Sequence, residues 1–148
     1  MTTIVTRSGK GSPLTHNEVD ANFTNLNNDK VERTNGALTN PTVTNYTETQ
    51  NTANTGSAIT LSLTDGTVEN LTLTAGATIT MPTVGAGKSF ILYLKTGAGG
   101  YAVTWTTVKW PGGTAPTITS TASRMDIYSF FSDGTNWYGV VVGQNYTP

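Results

Sequence analysis

The residues of this chain that could do chemistry are few and scattered. Thr83-Val84-Gly85-Ala86-Gly87-Lys88-Ser89 comes close to the end of a phosphate-binding loop. That loop needs a glycine five positions before Gly87, where Pro82 stands, and a helix after it, where Phe90-Ile91-Leu92 reads as a strand. A plain β-turn accounts for the glycines. His16 is the only histidine, so a Ser-His-Asp arrangement would have to use it, and it falls in the first turn of a short helix. Glu18 and Asp20 are two residues apart and point to different helix faces. Asp65, Glu69, Asp126 and Asp133 are spread over turns and strands, which argues against the paired carboxylates of a glycosidase. The chain has no cysteine, and metal sites gather several Cys, His or carboxylate ligands. The expectation is a protein that is not an enzyme, with no cofactor and no metal.

Binding chemistry is better represented. Tyr101, Trp105, Trp110, Tyr128, Trp137, Tyr138 and Tyr146 crowd the last third of the chain. Aromatic rings can stack on the CH faces of a pyranose, but alternating aromatics on strands more often fill a core or a subunit interface. Trp110, next to Pro111-Gly112-Gly113, reads as a loop residue and is the best exposed candidate for a receptor glycan. Asn136 and Tyr138, flanking a hairpin tip, come second.

The elements that must position these residues are unevenly distributed. Thr15 is suited to N-cap a helix, Glu18 three residues on completes a capping box, and Leu14 with Val19 forms the matching hydrophobic staple. Val19, Phe23 and Leu26 then make a narrow apolar stripe at coiled-coil spacing over about two heptads. A lone helix of ~15 residues is marginal in water, so the stripe must pack against copies of itself or a partner. Asn35-Gly36 ends the helical region. Residues 37–57 read as an extended connector, with Tyr46 its one large apolar side chain. From Ala58 onward the pattern has period two. Phe90-Ile91-Leu92-Tyr93-Leu94 reads as a central, doubly buried strand, and Ser132-Asp133-Gly134-Thr135-Asn136 as the turn of a hairpin. Short strands with Gly-rich turns indicate a β-sandwich or jelly roll.

Charged residues are 11% of the chain, against roughly 25% in ordinary soluble domains, and nine of them lie at or before Glu48. Threonine takes their place, keeping an exposed sheet face wet without charge. The net charge of −1 leaves no basic stripe for phosphates, so nucleic-acid binding is not expected. No apolar run approaches the ~18–20 residues that span a bilayer, and Met1-Thr2-Thr3-Ile4-Val5 is too short and polar for a signal peptide. A protein that ends up outside cells without such a signal is released another way, and lysis of the producing cell is one. A compact part under about 100 residues, without disulfide or metal, is stabilised most readily by oligomerisation.

Three stretches resemble the tail-fibre and receptor-binding proteins of tailed bacteriophages, especially those of marine and cyanobacterial phages. The first is Arg7-Ser8-Gly9-Lys10-Gly11-Ser12-Pro13-Leu14-Thr15 running into Glu18-Val19-Asp20, Asn22-Phe23 and Leu26-Asn27. The second is Gly36-Ala37-Leu38-Thr39-Asn40-Pro41-Thr42-Val43-Thr44, and the third is Phe131-Ser132-Asp133-Gly134-Thr135-Asn136-Trp137-Tyr138. The resemblance implies a virion protein made in the host bacterial cytoplasm. It implies a homotrimer that docks on a tail, baseplate or neck protein, with Ile4, Val5, Arg7 and Lys10 on the docking arm. Its tip would be presented to a host-surface glycan. The expected architecture is mainly β. Residues 1–36 form an attachment arm and a helix held in a trimeric bundle by Val19, Phe23 and Leu26. Residues 37–57 are the connector, and 58–148 a β-sandwich tip. The alternatives are a purely structural virion protein of neck, capsid or baseplate and, less favoured, a glycan depolymerase.

Overall fold

The computed structural model describes residues 4–29 and 40–148. They fall into two compact units, Met1–Asn45 and Tyr46–Pro148. The Asn35-Gly36 helix stop and the Ala37–Thr39 start of the connector lie outside the described residues.

The first unit is two helices, α1 (Arg7–Lys10) and α2 (His16–Asp29). Thr6 caps α1 by accepting from the Gly9 N–H at 3.1 Å, and Gly11, at φ 73°, ends it in the left-handed conformation. The predicted capping box of α2 is present. The Thr15 N–H donates to Glu18 Oε2 at 2.7 Å and the Glu18 N–H to Thr15 Oγ1 at 3.3 Å. Lys10 reaches back to the same Glu18 carboxylate. Four residues on, Asn22 grips the chain before α1: the Val5 N–H donates to its Oδ1 and its Nδ2 donates to the Val5 carbonyl, each at 2.8 Å. The described part of the glycine-punctuated arm is therefore folded onto its own helix. The cause is that Glu18 and Asn22 share one face of α2. The apolar stripe lies on another face: Phe23 is 67% and Leu26 57% exposed, while Val19 is half-buried.

The second unit is mainly β. A six-stranded sheet has the order β1-β3-β5-β8-β9-β7, and a three-stranded sheet the order β2-β4-β6. In chain order the strands are β1 (Gln50–Asn54), β2 (Ala58–Thr60), β3 (Val68–Leu73), β4 (Ala77–Thr80), β5 (Ser89–Thr96), β6 (Val103–Thr106), β7 (Val108–Lys109), β8 (Arg124–Ser132) and β9 (Trp137–Tyr146). The first six alternate between the sheets, so the chain winds, laying β3 parallel on β1, β4 on β2, β5 on β3 and β6 on β4. A sandwich or jelly roll implies antiparallel neighbours. Here only the β5-β8-β9 part is antiparallel. Residues 50–54, read as connector, form β1, which runs parallel to β3 and turns Asn51 and Ala53 to its half-buried side, where Ala53 packs against the core.

Period-two alternation aims one side of each strand into a single core. Leu71 and Leu73 of β3, Leu92 and Leu94 of β5, Tyr128 and Phe130 of β8 and Trp137 of β9 meet Ile79 of β4, with Ile59, Val103 and Trp105 packed against them. Phe90 stacks on Phe130 at 4.8 Å and meets Trp137 edge-on at 5.2 Å. The Trp137 indole N–H donates to the Pro82 carbonyl at 2.8 Å. β5 is central, as expected, but buried on one face only: Phe90, Leu92 and Leu94 point inward and Ile91 is exposed.

Two buried carboxylates interrupt this core. Asp126 accepts from Thr119 N–H and Oγ1, from the Asn145 N–H and from Gln144 Nε2, at 2.8, 2.6, 2.9 and 3.0 Å. Burial alone would push its carboxyl up, but these donors outweigh it and hold the group below its usual range. Glu69 accepts from Asn51 Nδ2 at 2.9 Å and has no partner at Oε1, so burial pushes its carboxyl up.

Trp137→Ala should cost about 3–5 kcal/mol, measured by urea denaturation; a cost under about 1 kcal/mol would contradict the shared core. In the first unit, Lys10 foremost and then the Thr15 donors lower the Glu18 carboxyl from 4.5 to about 2. A carboxyl depressed in the folded state stabilises fully above its unfolded value and is lost as pH falls through the folded one. Circular dichroism should therefore show helix content falling between about pH 4.5 and pH 2, with that step absent in Glu18→Gln.

Candidate functional site

The hairpin between β8 and β9 builds the most distinctive surface of the second unit. Asp133 orders its turn: Oδ1 accepts the N–H groups of Thr135 and Asn136 at 2.7 and 2.8 Å, and Oδ2 accepts the Tyr138 hydroxyl at 2.9 Å. The Asn136 N–H foremost, then the Thr135 N–H and the Tyr138 hydroxyl, hold the Asp133 carboxyl below its usual range. Bonding to that carboxylate, and its charge, push the Tyr138 phenol up. The turn thus fixes the Tyr138 side chain and keeps its hydroxyl protonated.

Register then supplies the second ring. Phe131 lies opposite Tyr138 across the ladder, and the two stack at 5.5 Å with planes 14° apart. Phe131 is 49% exposed. The third ring, Trp110, follows β7 and precedes a 3₁₀ turn over Pro111–Gly113. It stands edge-on to Trp105 at 5.3 Å and to Phe130 at 5.7 Å. Gly139 lets it sit there, since a Cβ at that position would lie 2.6 Å from the indole Cζ3. Lys109, Trp110, Pro111, Phe131, Tyr138, Gly139 and Val140 together line a groove of ≈ 230 Å³, mostly ring face and methyl group.

Of the glycan candidates, the structure brings Trp110 and Tyr138 to one groove. Asn136 stays in the turn and does not line it. Trp110 is not the exposed loop residue expected from its Pro-Gly-Gly neighbours: it is half-buried and packed against the core. Its indole N–H, like that of Trp105, is buried without a partner. Phe131 and Gly139 were not singled out from the sequence. A glycine inside an otherwise β-branched strand is the signal that could have found the close approach at Gly139.

The remaining candidates do not gather. Thr83–Ser89 forms a turn that enters β5, as expected, with the Lys88 ammonium donating to the Thr83 carbonyl at 3.2 Å. His16 stands exposed at the start of α2. Among the described residues no group of three or more His, Asp or Glu could hold a metal, and no helix is long and apolar enough to cross a membrane. A larger cleft of ≈ 440 Å³ runs between Tyr46, Glu48 and the outer face of β5, lined by Ser89, Ile91 and Ser129, and contains none of the candidates. Of the arm residues, Ile4 is exposed, Val5 is bonded to Asn22, Arg7 lies in α1 and Lys10 pairs with Glu18.

No known protein family matches the chain, and neither a curated protein nor a solved structure does.

Gly139→Ala should force Trp110 aside. The expected result is a loss of about 1–3 kcal/mol in stability and a red-shifted tryptophan emission. Unchanged emission and stability would contradict the close approach of Gly139 to Trp110.

Proposed function

We propose that this chain is a non-enzymatic fibre protein of a tailed-phage virion. It docks by its N-terminal unit, assembles as a homotrimer, and displays the β unit, a two-sheet sandwich-like tip, to a host-surface glycan. The observation that carries the reading is the aromatic groove at Trp110, Phe131 and Tyr138 on a charge-poor β body. Its ring faces are set by the Asp133 turn and by Gly139 before any ligand arrives, which suits the flat apolar side of a pyranose. The N-terminal unit supports the assembly half of the reading. It turns Phe23 and Leu26 outward, where bundling of α2 with its copies, and with Val19, would cover them. Ile4 and Arg7, exposed on the folded arm, are the part left to meet a virion partner.

A second reading, a virion protein with a purely structural role, is favoured by the near absence of polar groups in the groove, since sugar sites carry a few convergent hydrogen-bonding groups.

Labelled full-length protein, incubated with a panel of intact bacteria and purified surface polysaccharides, separates the two. The glycan reading predicts saturable binding that Phe131→Ala and Tyr138→Ala each weaken at least tenfold without changing the oligomeric mass. Trimeric protein that binds no surface in the panel would favour the structural role.

A further inference from the structure

The second half of β9 is an open edge, as β1, β2 and β6 are, and it is the longest of them. β7 pairs with β9 only at Trp137 and Tyr138. From Gly139 to Tyr146 the strand therefore has β8 on one side and no strand on the other, a free edge of roughly 27 Å at ~3.4 Å per residue. Its faces are open as well. Trp137 and Gly139 point into the core and are buried. Val141 has the same phase and is 37% exposed, while Val140 on the opposite face is 42% exposed. Val142 is 57% exposed and is the extra residue of a bulge, since Val141 pairs with Tyr128 and Gly143 with Ile127. Three consecutive valines are thus accessible from both faces and from the edge.

We infer that Val140–Val142 is a self-association surface, on which the β unit of one chain packs against the β unit of another. The inference rests on the homo-oligomeric fibre reading and adds a surface separate from α2. Three features point to a second copy as the occupant. β9 contains no Asp, Glu, Lys or Arg from Trp137 to Tyr146, so identical strands meet without like-charge repulsion and offer a different partner no charge to read. The nearest cations stand at its two ends: Lys109 lies beside Tyr138, and Arg124 donates to Thr147. Monomeric proteins blunt a free edge with charge, proline or a bulge; between Gly139 and Tyr146 there is neither charge nor proline, and the bulge at Val142 presents an apolar side chain that is itself exposed. The other unit of the same chain also exposes apolar side chains, at Phe23 and Leu26, which further copies of the chain would cover in the fibre reading. Val140 stands at the border of the aromatic groove, so the neighbouring chain would form the groove's rim and leave Phe131 and Tyr138 facing out.

Sedimentation equilibrium on the full chain tests this. The expected result is an oligomer whose dissociation constant rises at least tenfold in Val140→Lys/Val142→Lys, with the circular dichroism of the β unit retained. In Phe23→Lys/Leu26→Lys, association through β9 should persist in part. If the valine variant loses its fold, hydrogen exchange on the unmutated chain gives the same information: amides of 140–146 should gain protection as concentration rises. An unchanged dissociation constant in a folded valine variant, or exchange independent of concentration in an oligomer, would overturn the inference and leave the fibre reading intact. A monomer at all concentrations would overturn both.

Discussion

Everything in the β unit depends on one constraint: alternate side chains of nine strands must converge on a single core while the chain winds between two sheets. Winding places β3 on β1 and β5 on β3, so Leu71 and Leu73 lie beside Leu92 and Leu94. The other sheet brings Ile79 and Trp105 to the same space. The antiparallel pair β8-β9 then completes the large sheet with Tyr128, Phe130 and Trp137. The winding reaches each parallel neighbour through a strand of the other sheet, so its connections can be as short as residues 55–57 and 74–76. Trp110 stands outside the winding, between β7 and the 3₁₀ turn that leads to β8.

The core also explains the surface. Trp110 is held from inside by Trp105 and Phe130, and Gly139 is small because Trp110 presses against it. Phe131 faces out because Phe130 faces in. The aromatic groove is therefore the outer side of the same packing that stabilises the unit, with Trp110 shared between the two. Asp126 serves the far end of the hairpin as Asp133 serves the turn. Each is a carboxylate satisfied by backbone and side-chain donors, and each fixes one end of β9. Between those ends β9 runs free.

Much of this was legible in the residues, and the rest was not for physical reasons. The α2 N-terminus could be read from Thr15 and Glu18 because a capping box is local. So could the Asp133 hairpin and the turn before β5. Which strand pairs with which is not local: the alternation of Leu71 and Leu73 fits parallel and antiparallel neighbours equally. The Phe90–Leu94 run reads as buried on both faces, but Ile91, opposite Phe90, Leu92 and Leu94, is exposed, since an apolar run does not say whether one face or both are covered. Trp110 reads as exposed because Pro-Gly-Gly follows it; its burial is set by Gly139, distant in sequence. The folding of the arm onto α2 depends on Asn22 bonding Val5, a pairing that nothing in the spacing announces.

In the proposed homotrimer, further copies of the chain cover one apolar face on each unit, at Phe23 and Leu26 and at Val140–Val142. Native mass spectrometry of the full chain tests this most directly. The expected result is a dominant species of three chains of 15.6 kDa each. A single-chain species under the same conditions would contradict it.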